Sequence, residues 1–114
     1  MIIMSLDFSV STLKKKDVIN IFDSLAGSVS VKPGCNKIKL YSDINNDDDF
    51  LLIFEWKSRR EMEKYIRSDE FRKIMGLMDL SSEAPIIRFN TVSSTIGFEL
   101  VEKIRLNSFS HIEN

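Results

Sequence analysis

Few side chains in this sequence have both the type and the spacing for chemistry, and their scarcity narrows the options. There is one cysteine, Cys35, and one histidine, His111 near the C-terminus. Zinc and iron-sulfur sites need several thiolates or imidazoles at short spacing, so neither is available, and no intramolecular disulfide can form. Cys35 has no basic or histidine neighbour to make it a thiolate and reads as a small apolar residue. His111 falls in a polar tail for which no order is expected. Asp43, Asn45 and Asp47 occupy the spacing of calcium-loop positions one, three and five, but Asp48 stands where the loop needs glycine and Phe54 where it needs a bidentate glutamate. A solvated hairpin is the better reading. Tyr65 can hydrogen-bond a phenolic substrate or, with a lowered pKa, accept its proton; its other use is to pack between helix and sheet. Arg88 can hold an anion bidentately or close an ion pair between subunits. Glu55 and Glu70 read as salt-bridge partners of Arg60, Arg72 or Arg88, since strand alternation sets Glu55 opposite Trp56.

The balance of 16 Lys and Arg against 17 Asp and Glu gives a net charge of −1. No cationic excess exists to neutralise a phosphate backbone, so nucleic acid is not an expected partner. A hydrophobic content of 43% with 29% charged residues predicts a chain that folds, and 114 residues predict one domain around one core. The opening run from Met1 lacks a basic segment and its apolar stretch stops at Asp7. Neither a secretory leader nor a membrane span is expected, and with a single cysteine the expected location is the cytoplasm.

The elements that must position these groups follow from periodicity. Ile2, Met4, Leu6, Phe8 and Val10 alternate as the buried side of a first strand. Ser11 or Thr12 then offers a cap to a helix with an apolar stripe of Leu13, Val18, Ile21, Phe22 and Leu25, which Gly27 is suited to end. After the Pro33-Gly34 turn, Ile38 and Leu40 mark a second strand. A polar hairpin over 43–49 leads to a third, where Phe50, Leu52, Phe54 and Trp56 face one way and Leu51 and Ile53 the other. Both faces of that strand must be covered. A chain this short has helices for one, so the second face predicts another copy of the protein, packed sheet to sheet. Ser58-Arg-Arg-Glu61 has the form of a capping box and opens a helix carrying Met62, Tyr65 and Ile66; Ser68-Asp69 restarts it through Phe71, Ile74, Met75 and Met78. Met62, Met75 and Met78 read as deformable packing rather than a haem site. Pro85 introduces a fourth strand, and residues 96–106 are read as a helix. The order is β-α-β-β-α-β, the split βαβ arrangement of ferredoxin-like α+β domains, over residues 1–95, with a C-terminal extension over 96–114.

Residues 34–43 (GCNKIKLYSD), 50–61 (FLLIFEWKSRRE), 65–71 (YIRSDEF) and 85–89 (PIIRF) resemble the antibiotic biosynthesis monooxygenase domain family, whose members form dimeric α+β barrels. The resemblance covers about residues 2–92. It implies a homodimer whose subunits each hold a pocket between sheet and helices, walled here by Trp56, Phe54, Phe71, Met75 and Phe89, with Tyr65 and Arg88 as catalytic candidates. It implies a small aromatic or quinol-like ligand and, in the oxygenases of the family, reaction with oxygen without cofactor or metal. Two departures bear on activity. Tyr65 and Glu70 stand where many members carry histidines, so no imidazole base is available. The groups diagnostic of the haem-degrading branch are missing at Tyr65 and near Met75. The alternative function is a non-catalytic ligand-binding or protein-interaction module of the same fold.

Overall fold

Alternation along residues 2–9 puts every second side chain under cover: Ile2, Met4, Leu6 and Phe8 are buried, and their neighbours are not. The computed structural model describes the backbone of residues 1–113 and side chains through Asn107. In chain order the elements are β1 (Ile2–Ser9), α1 (Lys15–Val29), β2 (Cys35–Ser42), β3 (Asp49–Trp56), α2 (Arg59–Ile66), α3 (Arg72–Leu80), β4 (Ile86–Thr91) and α4 (Glu99–Glu113). The strands form one antiparallel sheet in the order β2-β3-β1-β4. This is the ferredoxin-like α+β arrangement expected from the sequence.

Register fixes which residues share a face. Phe8 lies opposite Phe50, Leu6 opposite Leu52, Met4 opposite Phe54 and Ile2 opposite Trp56. These even-numbered residues join Val18, Leu25 and Val29 of α1, Met62 and Tyr65 of α2, and Ile74 and Leu77 of α3 in one core. The other face carries Ile3, Leu51 and Ile53 at half-burial, with Lys39, Tyr41, Ile86 and Arg88 exposed around them. Both strand-three faces are thus apolar, but the helices cover only one.

The first helix departs from its signals at both ends. A 3₁₀ turn over Thr12–Lys14 precedes it, and Ser11 makes no side-chain cap. Leu13 sits in that turn and is 94% exposed, out of phase with the buried stripe. Gly27 does not end the helix, which continues to the fully buried Val29. Burying Val29 outweighs the cost of about 1 kcal/mol for an interior glycine. Elsewhere the local signals hold. The Ser58 hydroxyl accepts the Glu61 N–H at 3.3 Å and opens α2. A 3₁₀ turn over Asp69–Phe71 separates α2 from α3. The expectation for residues 96–106 is met in kind, with α4 beginning at Glu99; the His111 side chain lies outside the described residues.

Gly34 ties the β2 entry to α2. Its φ of +85° is a left-handed conformation, and a Cβ there would lie 2.5 Å from Glu61 Cγ. Only glycine lets the loop press this closely on the first turn of α2. The Gly34 carbonyl accepts the Lys57 N–H at 2.7 Å, which fixes Lys32 and Pro33 beside the end of β3.

Candidate functional site

Trp56 ends β3 on the core side, and Tyr65 descends onto it from α2. Their ring centroids are 5.2 Å apart and tilted by 31°. Phe54 stacks beneath Trp56 at 6.3 Å and meets Tyr65 at 5.7 Å, while Phe71 meets Tyr65 edge-on at 5.8 Å. Such offset and edge contacts favour the ring quadrupoles and hold the cluster rigid. Tyr65 and Trp56 are 2% and 1% exposed, yet neither Trp56 Nε1 nor Tyr65 Oη has a hydrogen-bond partner among the described residues. Leaving such groups unpaired costs about 1–3 kcal/mol each, which proteins rarely tolerate without a use for them.

Trp56 and Tyr65 open onto a cavity of about 180 Å³, whose remaining walls are Lys32, Pro33, Glu61, Lys64 and Ser68. Helical spacing accounts for one side of it: Glu61 and Tyr65 lie four residues apart on one face of α2, and Ser68 follows three residues on, just past its end. Ser68 turns its hydroxyl onto the Tyr65 carbonyl at 2.6 Å, closing the end of that helix. The opposite side comes from the loop held down at Gly34. Lys32 reaches from it to within 3.6 Å of Glu70, spanning the edge of the aromatic cluster.

Burial, reinforced by the negative charge of Glu70 and then of Cys35, holds the Tyr65 phenol well above its ordinary pKa. Desolvation penalises the phenolate, which runs against the lowered pKa that a base at Tyr65 would need. The same shift favours the neutral phenol, which can donate a hydrogen bond. Burial likewise raises the Cys35 thiol.

The sequence-derived candidates separate into distinct places. Trp56 and Tyr65 share the cavity, with Phe54 and Phe71 packed directly behind them. Met75 does not line it and is 54% exposed on α3. Phe89 faces the helix side of β4 and lines a separate groove with Ile2, Met62 and Ile66. Arg88 pairs in register with Ser5 and lies on the opposite face of the sheet from Tyr65. Glu70 pairs with Lys32, not with the arginines proposed for it. Sequence reasoning did not single out Lys32, Pro33, Lys64 or Ser68. Counting by helix turns from Tyr65 would have found Glu61 and Ser68, whereas Lys32 and Pro33 are brought in by a loop. Among the described residues, no group of three or more His, Cys, Asp or Glu side chains is placed to hold a metal ion. No helix there is long and apolar enough to cross a membrane.

Comparison with known proteins places this fold among relatives. The model of the family described as antibiotic biosynthesis monooxygenase matches residues 1–77. A conserved protein from Methanosarcina mazei Go1 superposes with a TM-score of 0.72 at 23% identity, covering 78% of this chain and 89% of that one. Rv0793 from Mycobacterium tuberculosis gives 0.73 at 11% identity, covering 84% and 98%. A variant of SnoaB, a cofactor-independent oxygenase from Streptomyces nogalater, gives 0.72 at 16% identity, covering 84% and 96%. No curated protein matches the sequence.

Proposed function

Since the chain belongs to the antibiotic biosynthesis monooxygenase family, we propose that it binds a one- or two-ring phenol or quinol against Trp56 and Tyr65 and oxygenates it without a cofactor. The observation carrying this reading is that Trp56 and Tyr65, whose Nε1 and Oη are buried without a hydrogen-bond partner among the described residues, both line one small cavity. A cavity of roughly 150 Å³ accepts benzene, so about 180 Å³ suits a small ring system and not a long polycyclic one. Kinship with a cofactor-independent oxygenase at the level of fold supports the reaction class.

In this reading the two donors converge on the substrate oxygen and stabilise its anion, the form that gives up electrons to oxygen. Preorganised donors in a dry site act most strongly where negative charge develops. Tyr65 suits the task because it stays protonated. The substrate proton leaves at the mouth, where the Glu61 carboxylate lines the cavity and can accept it. The substrate supplies all four electrons needed: one oxygen atom enters the ring, as a quinone carbonyl from a phenol or as a ring hydroxyl of the quinone from a quinol, and the other departs as water.

The working unit in this reading is a homodimer in the cytoplasm, joined through the sheet face that carries Ile3, Leu51 and Ile53. Half-buried aliphatics at the centre with charged Lys39 and Arg88 around them have the composition of an interface, with an apolar core and a polar rim.

Oxygen uptake in the presence of reduced 2-methylnaphthoquinone tests the function. The expected result is consumption above the uncatalysed rate, reduced at least tenfold by Tyr65→Phe and by Trp56→Phe. Quinol binding without uptake would assign the cavity to a non-catalytic binding module. Neither binding nor uptake would overturn the proposal.

A further inference from the structure

The side chains around the cavity offer more hydrogens than lone pairs. Trp56 Nε1 can only donate and Tyr65 Oη can donate, and neither has a hydrogen-bond partner among the described residues. Lys32 and Lys64 add two ammonium groups to the lining, each rich in hydrogens and without a lone pair. Lys32 Nζ stands 3.6 Å from Glu70 Oε2, which makes an ion pair but is too long for a hydrogen bond. That Glu70 oxygen is itself buried without a hydrogen-bond partner among the described residues, so the Lys32 hydrogens are uncommitted. Lys64 is exposed on α2, one residue before Tyr65, and has no ion-pair partner among the described residues. Against these donors stand the Glu61 carboxylate and Ser68, whose hydroxyl already donates to the Tyr65 carbonyl at 2.6 Å. The donors also divide by depth. The indole and the phenol are almost wholly buried, whereas the Lys32 side chain is 35% exposed and Lys64 is exposed. The neutral pair therefore lies inside and the charged pair at the mouth.

We infer that the ligand is an aromatic carboxylate, its hydroxylated ring against Trp56 and Tyr65 with the hydroxyl inward, and its carboxylate outward between Lys32 and Lys64. The inference rests on the cavity being the substrate site, and not on the reaction with oxygen. A plain phenol has one oxygen for the inner donors and leaves both ammonium groups to water. A carboxylate at the far end of the ring supplies acceptors for charge-assisted bonds to them. An aromatic amine would bring a cation against two others and is selected against. Glu70 neutralises part of Lys32 but does not line the cavity; Glu61 does, and the two ammonium groups outnumber it there. Burial of the ring accounts for most of the affinity, and the lysines, half in solvent, decide between ligands of one shape and different charge. Size agrees. A cavity of roughly 150 Å³ holds benzene, so about 180 Å³ takes a single ring whose charged end reaches the mouth.

Trp56 is the only tryptophan of the chain, so its fluorescence reports directly on this cavity. Titrating the full chain with 4-hydroxybenzoate and with its neutral counterpart 4-hydroxybenzamide, at neutral pH and low salt, tests the inference. The carboxylate should bind about fivefold more tightly, near the upper range for a solvent-screened pair, and the difference should shrink as salt is added. Lys64→Gln and Lys32→Gln should each reduce the preference, and Lys64→Arg should keep it. Lys64 is exposed, so its substitution does not put folding at stake. Equal affinities in the wild type, or a preference that survives Lys64→Gln, overturn the inference while leaving the cavity as a site for neutral phenols. Quenching by acetate at the same concentrations would mark a site for bare anions and overturn it as well. Binding of neither ring compound overturns it together with the reading of the cavity as the substrate site.

Discussion

Replacing Tyr65 by phenylalanine should make the protein more stable and less functional. The hydroxyl is buried and has no hydrogen-bond partner among the described residues. An unsatisfied buried polar group costs about 1–3 kcal/mol, whereas removing it while keeping the ring leaves the packing in place. The contacts to Trp56, Phe54 and Phe71, at 5.2, 5.7 and 5.8 Å, belong to the ring and survive the change. A gain of about 1 kcal/mol is expected, taking the low end because Tyr65 borders a cavity, and it raises the melting temperature by about 4 °C. The variant also has a distinct alkaline signature. The folded phenol is held above the pKa it has when unfolded. The stability this confers is complete below the unfolded phenol pKa, near 10, and declines as pH rises above it, because the unfolded chain ionises first. Wild type should therefore lose stability faster than Tyr65→Phe between about pH 10 and pH 12. Urea unfolding monitored by circular dichroism, at pH 7 and across the alkaline range, measures both effects. A loss of more than 1 kcal/mol at pH 7 would falsify the argument, since it would mean that the fold holds the hydroxyl with a bond worth keeping.

Other outcomes follow from the same geometry. Gly34→Ala should cost about 2–4 kcal/mol, combining a positive φ with the approach to Glu61; trimming Glu61 to alanine should not rescue it, because the Glu61 Cβ itself lies 2.6 Å from the added methyl. Ser58→Ala should cost about 1 kcal/mol by removing the bond to the Glu61 N–H, measured as a lower urea midpoint with an unchanged slope. Ile53→Lys, on the face of β3 away from the helices, should leave the circular dichroism intact and halve the mass seen by sedimentation; an unchanged mass would remove the sheet face from the dimer interface.

The sequence by itself determined the sheet, its two apolar sides and the helices that cover one of them, because periods of two and of three to four residues translate directly into faces. Phe50, Leu52, Phe54 and Trp56 could be assigned to one side of β3 by counting, and Ser58-x-x-Glu61 marked the start of α2. The same counting gave Tyr65 its inward direction. It failed at Leu13 and Gly27, where the phase of α1 depends on what Val29 finds beneath it and not on local preference. It also could not separate Met75, Phe89 and Arg88 from the cavity, since proximity across strands depends on register and on how far each helix reaches. Arg88 and Phe89 are adjacent in sequence and face opposite sides of the sheet; only the pairing with Ser5 and Met4 shows which side belongs to which. Lys32 and Pro33 enter the site because a left-handed glycine bends their loop against α2. The raised pKa of the Tyr65 phenol was likewise a tertiary outcome, because desolvation and the charge of Glu70 are set by neighbours in space.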